Sequence, residues 1–329
     1  MSLCEELSAR ALLPIVTSKK MAGETGLEPA AFCVTGRRYN QLNYSPELIC
    51  EEKMVYIKRP ESFRQVIILK EKIMQSVFIT GGTSGIGAAL ALEYLAQGYR
   101  VGVCGRHEEN FHQNLGERKN LSFHLADVTK QEEIQLALES FAKEGGLDIL
   151  VINAGISMAG KRKIPEFSRA RKVVATNIDG FLNTLEKGLE LYMTKDEGHE
   201  RRGQVVVISS VAGFRGLPGS AAYSATKAFL TTFCQSLSID LYQLGIDVTL
   251  VCPGFVDTPL TRQNKHNMPF LLPAAVAAQR IVKAVEKRRI FYPFPKRMYA
   301  IILAMRILPY ACYVHLMRTI GKVYLRKEY

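Results

Sequence analysis

The sequence predicts an α/β protein: a doubly wound, mostly seven-stranded parallel sheet with helices on both faces. Two observations lead there. From Met74 onward, short apolar runs alternate with helix-length segments at the spacing of right-handed βαβ units. Between the first run and the first helical segment stands a glycine-rich turn that carries Gly81, Gly85 and Gly87, the place where such sheets bind their ligands.

Taken in order, residues 1–73 show no convincing periodicity. Glu5 and Glu6 lie near the start and no apolar run comes after them, which argues against a secretory signal. Residues 22–46 resemble a peptide that recurs ahead of unrelated bacterial reading frames, where a transfer-RNA gene has been translated by mistake. The expectation is that Met74 is the true start and that residues 1–73 have low order. The competing reading makes 66–69 an extra strand or helical turn. Residues 77–80 then form the first strand of the sheet, and a helix from about 86 to 97 stops at Gly98. Further strands are expected at 99–104, 121–126 and 147–152, with a helix near 131–143. Residues 166–192 read as one long helix, 205–209 as a strand and 222–244 as a helix. A sixth strand covers 246–251, a helix 274–287 and a short seventh strand 290–292. One domain over 74–292 is expected, with a substrate lid at 259–272 and a basic, apolar tail at 293–329.

Composition narrows the function classes. The chain of 329 residues is 47% hydrophobic, enough for a sizeable core. Cys4, Cys33, Cys50, Cys104, Cys234, Cys252 and Cys312 are scattered and never form a C-x-x-C pair, so reduced thiols and a cytoplasmic location are expected. The six histidines form no H-x-x-x-H pair, and no metal site is argued. The net charge of +12 is uneven: Lys and Arg stand against Asp and Glu as 11 to 9 over residues 1–73, 20 to 20 over 74–278, and 12 to 2 over 279–329. Any electrostatic partner is therefore met by the tail.

Three motifs carry chemistry. In the turn, Gly81 allows the tight bend, Gly85 lets the backbone approach a pyrophosphate and Gly87 lets helix pack on strand. Thr83, Ser84 and Ile86 complete a loop whose helix N-terminus offers N–H groups to phosphates. At the end of the second strand of the sheet, Arg106 comes directly after Gly105 and no carboxylate appears until Glu108. A ribose 2′-OH calls for an acid there and a 2′-phosphate for a cation, so NADP(H) is favoured over NAD(H). Tyr223 and Lys227 are one helical turn apart and project from one face. A cation fixed beside a phenol lowers its pKa and makes it a general acid/base.

These motifs, T-G-x-x-x-G-I-G from Thr80 to Gly87, N-A-G at Asn153, Ala154 and Gly155, S-x₁₂-Y-x₃-K at Ser210, Tyr223 and Lys227, and Pro253-Gly254, stand in the order and spacing of the short-chain dehydrogenase/reductase family. The chain resembles that family over about residues 74–258. The resemblance implies a Rossmann fold and an enzyme that moves hydride between the cofactor and an alcohol, ketone or aldehyde, an apolar one if the tail meets lipid. It implies that Asp127 hydrogen-bonds the adenine, that Asn153, Ala154 and Gly155 form the turn beneath the adenine ribose, and that Thr258 binds the nicotinamide carboxamide. Ser210 is implied to bind the substrate oxygen and Tyr223 to transfer the proton. Lys227 is implied to lower the Tyr223 pKa and hold the ribose, and Asn177 to anchor a relay water. Asp127 also reads as a helix N-cap, Asn177 as the site of a local kink, and Ser209 as a rival to Ser210 that the family's spacing rejects. A non-catalytic NADP(H) sensor is the alternative, which the intact Ser, Tyr and Lys disfavour.

The tail is apolar over 298–317 except at Arg306 and His315, and Pro309 interrupts it. Its uncharged run, 298–305, is too short to span a bilayer. One expectation is a helix pair of residues 295–329 at an anionic membrane surface, placing the protein at the inner face of a membrane. The other is packing over the substrate pocket or on a second subunit of a homo-oligomer. Nucleic acid ranks last, because no aromatic platform on a recognised fold accompanies the charge.

Overall fold

The computed structural model describes residues 52–57, 65–70, 75–157, 166–195, 201–263 and 267–326, with backbone alone at 52–57, 65–70 and 321–326. Residues 22–46, Met74 and positions 264–266 of the expected lid lie outside the described residues. The chain divides into two units, Met1–Ile73 and Met74–Tyr329. In the first, β1 (Glu52–Ile57) pairs antiparallel with β2 (Gln65–Lys70), from Glu52 opposite Lys70 to Ile57 opposite Gln65. Of the strand and the helical turn expected as alternatives over 66–69, the backbone adopts the strand.

In the second unit the apolar runs become strands covered on both sides. Every residue of β3 (Ser76–Thr80) and β6 (Ile149–Ile152) is buried, as a parallel sheet flanked by helices requires. With β4 (Arg100–Gly105), β5 (Leu121–Leu125), β7 (Gly203–Ile208), β8 (Ile246–Pro253) and β11 (Phe291–Phe294) they form one parallel sheet in the order β11-β8-β7-β6-β3-β4-β5. Successive side chains point to opposite faces. Val77, Ile79, Val103 and Val151 pack into the layer of α1 (Gly85–Ala96), α2 (Glu108–Asn114) and α7 (Ala274–Glu286). Phe78, Leu150, Val205 and Val207 pack into the layer of α3 (Gln131–Lys143), α5 (Gly180–Met193) and α6 (Ala221–Tyr242).

From β3 the chain moves outward through β4 and β5, then returns to place β6 on the other side of β3. The connections beyond β3 and β6 therefore leave in opposite directions, which opens a crevice at the carboxyl ends of these strands.

The expected single helix at 166–192 is three segments: α4 (Phe167–Val174), a π-turn at Ala175–Asp179, and α5. A π-turn inserts a residue into the helical repeat and rotates the next helical segment about the axis; the 3.6-residue apolar pattern continues on either side, so the sequence reads as uninterrupted. Helix α2 gives no signal in the sequence, being short and polar with only Phe111 buried. The last strand of the sheet runs two residues beyond the expected 292. Short strands β9 (Val256–Asp257) and β10 (Leu272–Pro273) pair in parallel and tie together the two ends of the expected lid.

The tail is not a separate appendage. Helices α8 (Lys296–Ile307) and α9 (Tyr310–Arg326) break at Leu308-Pro309, where proline ends a helix. Met298, Ile302 and Tyr313 are buried, and the first two pack on Val211 in the loop after β7. No described helix is long and apolar enough to cross a membrane.

Candidate active site

The glycine turn closes the carboxyl end of β3 at the switch point. Gly81 and Gly85 have φ of +60° and +56°, conformations that side chains disfavour. A Cβ on Gly81 would lie 2.9 Å from Ala154 Cα, and one on Gly87 would meet the Gly81 carbonyl oxygen and come within 2.6 Å of Asn153 Nδ2. Thr83 is buried, Ser84 is exposed at the N-cap position of α1 with no capping bond from its side chain, and Ile86 packs partly into the core. The absence of side chains at the glycines lets the turn pack closely against Asn153 and Ala154 at the N-terminus of α1, whose N–H groups fit the phosphates of a dinucleotide.

Asn153, Ala154 and Gly155 are fastened to this turn. Asn153 Nδ2 donates to the carbonyls of Thr80 and Gly81, both at 3.0 Å, and the N–H groups of Asn153 and Ala154 donate to Thr80 Oγ1 at 3.1 and 3.2 Å. Thr80, buried and equipped with one hydroxyl, couples β3 to the end of β6. The sequence marks Thr80 as the first residue of the glycine motif, but its bonds to the Asn153 turn are visible only in the fold.

Asp127 makes an Asx turn in which Oδ1 accepts from the N–H and hydroxyl of Thr129, both at 2.9 Å. It is not a helix N-cap, since α3 begins at Gln131 and Lys130 occupies the cap position. Its Oδ2 lies 3.9 Å from Arg106 Nη1, with the Arg106 side chain 53% exposed. The cation at the end of β4 is thus paired on one side and open on the other. Pro253 and Gly254 end β8, where the Gly254 N–H donates to Phe294 O at 2.7 Å. Thr258 is buried 3.3 Å from where a Gly85 side chain would start. Thr261, unread in the sequence, braces it: its hydroxyl accepts from the Thr258 N–H at 3.0 Å and donates to Val256 O at 2.5 Å.

Ser210, Tyr223, Lys227 and Asn177 converge beside this crevice. Ser210 lies just past β7 and its Oγ accepts from the Ala212 N–H at 3.1 Å and donates to Pro253 O at 3.4 Å. Ser209 points the other way, as strand alternation requires, and bonds Lys227 O at 3.0 Å. Lys227 is buried, donates from Nζ to Ile208 O at 2.8 Å and sits 5.8 Å from the centre of the Tyr223 ring. Burial lowers its pKa to about 8, against the opposing influence of the Cys252 and Cys234 thiols. Burial also raises the Tyr223 phenol above its ordinary value, and the Ser210 hydroxyl draws it down. Of these two influences on the phenol, desolvation is the larger.

Asn177 sits within the π-turn, fully buried. Its Oδ1 accepts from the Ile156 N–H at 2.8 Å, and Nδ2 donates to Ile156 O and Thr226 Oγ1, both at 3.0 Å. A Cβ on Gly155 would lie 3.3 Å from Asn177 Oδ1 and 3.6 Å from Lys227 Nζ, so this glycine lets both groups approach from either side. Thr226, also unread in the sequence, accepts from Asn177 and donates to Tyr223 O at 2.9 Å.

Residues 75–269 match the sequence pattern described as short chain dehydrogenase. An uncharacterized oxidoreductase of Myxococcus xanthus (strain DK1622) is 34% identical over 246 residues, covering 73% of this chain and 95% of the relative. Among solved structures, ElxO with NADP bound shares 26% identity at a TM-score of 0.58, covering 67% of this chain and 96% of that one. A 3-ketoacyl-(acyl-carrier-protein) reductase from Brucella melitensis complexed with NADH shares the fold, at 23% identity and a TM-score of 0.62, with 67% and 96% covered. Since the pattern spans more than half of the chain and the Myxococcus relative is matched almost end to end, the chain belongs to the short chain dehydrogenase family of NAD(P)-dependent oxidoreductases.

Proposed function

We propose that the protein moves hydride between NADP(H) and the alcohol or carbonyl group of an apolar small molecule, using Ser210, Tyr223, Lys227 and Asn177 within a unit at residues 74–292. The observation that carries this reading is the placement of Lys227 one turn from Tyr223 on α6, its ammonium 5.8 Å from the Tyr223 ring centre, with the Ser210 hydroxyl near enough to draw the phenol's pKa down. NADP(H) over NAD(H) is supported by Arg106 at the end of β4, half exposed although it pairs with Asp127, and by the NADP bound to ElxO. When bound, the cofactor supplies or accepts the hydride at its nicotinamide ring. The glycine turn would hold its pyrophosphate, Arg106 its 2′-phosphate, and Thr258 its carboxamide.

In the reducing direction Ser210 donates a hydrogen bond to the substrate oxygen and fixes it beside the Tyr223 hydroxyl. Tyr223 gives that oxygen its proton, and the same group takes a proton back in oxidation. The Lys227 ammonium stabilises the phenolate left behind, more strongly in a desolvated site than in water. Asn177 holds both main-chain groups of Ile156 and so sets the wall of the site; the relay water belongs beside it in the same proposal. An apolar substrate fits the apolar cluster packed against α8, in which Val211 and Phe214 follow Ser210 in the chain and Phe255 joins them.

The test is a panel of ketones and aldehydes screened for NADPH oxidation, with Tyr223→Phe as the comparison. The variant is expected to lose turnover by about 10²–10⁴-fold while binding NADPH as the unaltered protein does in a fluorescence titration. Undiminished reduction by Tyr223→Phe would sink the assignment.

A further inference from the structure

Helices α8 and α9 have one committed face and one open face. Inward, Met298 and Ile302 are buried on Val211, with Phe214, Phe255 and Met305 around them. Arg215 locks the pair to the same loop: its Nε donates to Met305 O at 3.3 Å and its Nη2 to Leu308 O at 2.5 Å. Tyr313 donates to Gly216 O at 2.5 Å. Outward, Ile301, Leu303, Ile307, Tyr310 and Leu316 are exposed, Ile307 at 79% and Tyr310 at 78%. Beside them Lys296, Arg297, Arg306 and Arg318 are also exposed. No Asp or Glu occurs from Lys296 to Arg326.

Large aliphatic side chains on a surface whose charge is all of one sign have a specific complement. A second copy of the chain meeting this face symmetrically would set cations against cations. A nucleic acid would satisfy the cations and leave the isoleucines and leucines without a partner. An anionic lipid surface satisfies both, with acyl chains taking the apolar residues and headgroups the cations. We propose that the open face of α8 and α9 docks peripherally on an anionic bilayer. Through Arg215 and Tyr313 the docked face is joined to the loop after Ser210, so the open end of the sheet lies next to the lipid, where an apolar substrate partitions. The docking does not depend on the hydride-transfer reading.

The experiment is flotation of the full chain with phosphatidylcholine vesicles, with and without phosphatidylglycerol, at low and raised salt. The protein is expected to float with the anionic vesicles, to do so less in raised salt, and to remain behind with phosphatidylcholine alone. Arg297→Gln combined with Arg318→Gln should lower partitioning by about 25-fold, at roughly fivefold for each cation near the surface. Ile301→Asp combined with Ile307→Asp should remove it, with thermal stability and NADPH oxidation unchanged because both positions are exposed. The proposal is overturned if the protein fails to float, or if both variants float as the unaltered chain does. It is equally overturned if the chain forms a dimer that Ile307→Asp dissociates and that binds no vesicles.

Discussion

Thr226 makes two of the hydrogen bonds that hold Asn177 and Tyr223 in register. Thr226→Val keeps the shape and leaves the buried Asn177 amide short of an acceptor, which costs about 1–3 kcal/mol. A lower melting temperature and a reduced kcat with an unchanged KM for NADPH are expected; unaltered kcat would separate Thr226 from the site. Arg106 has the opposite character, half exposed and reaching toward solvent from the end of β4. Arg106→Ser should reduce kcat/KM for NADPH by roughly 10–100-fold, the scale of a lost charged hydrogen bond, and leave NADH almost unaffected. Equal losses with both cofactors would remove the 2′-phosphate from its role. Arg106, Tyr223 and Lys227 are legible in the sequence because each is marked by the chemistry of one side chain at one spacing. The roles of Thr80, Thr226 and Thr261 are not, since a hydroxyl's value depends on partners 73, 49 and 5 residues away.

At the scale of elements, the joint between the Ser210 loop and the two C-terminal helices is the feature most open to test. Arg215 supplies donors to carbonyls at the end of α8, which has no further helical turn to satisfy them, and its guanidinium stacks 4.6 Å from the Tyr313 ring centre. Arg215→Ala should cost about 1.5–3 kcal/mol of stability, as for hydrogen bonds from a charged donor. It should also raise KM for the carbonyl substrate while KM for NADPH stays put, since the glycine turn is on other strands. A variant with the stability loss alone would make the joint purely structural. The π-turn at Ala175–Asp179 belongs to this scale too. It turns Asn177 inward by adding a single residue to the repeat, which hydrophobic spacing along 166–192 does not register.

For the whole molecule, buried titratable groups determine how stability responds to alkali. Burial pushes the thiols of Cys104, Cys234 and Cys252 up to about 12 from an ordinary value of 9.0. From pH 9 to 12 the unfolded chain loses protons that the folded chain keeps, so these groups lower stability as pH rises. Lys227 has the opposite sign: its folded pKa is about 8 against 10.5, so between those values the unfolded chain holds a proton the folded one lacks, and stability rises. One group lifts the curve from about pH 8, and three depress it from about pH 9. The melting temperature is therefore expected to climb slightly to about pH 9 and to fall beyond it, with Lys227→Met losing the climb. A melting temperature still rising at pH 10.5 would contradict this balance.

Order along the chain encodes the chemistry of this protein. Strand and helix alternation implies the parallel sheet, glycine spacing marks the turn at Gly81, and one helical turn separates Tyr223 from Lys227. Packing sets what those groups experience. The depth of Lys227 and the burial that raises the Tyr223 phenol both depend on solvent being excluded by several strands and helices at once. The same holds for the tail, whose residues read as an extension in sequence but close over the Ser210 loop in space. Spacing is a property of neighbours along the chain, whereas desolvation belongs to everything packed around an atom.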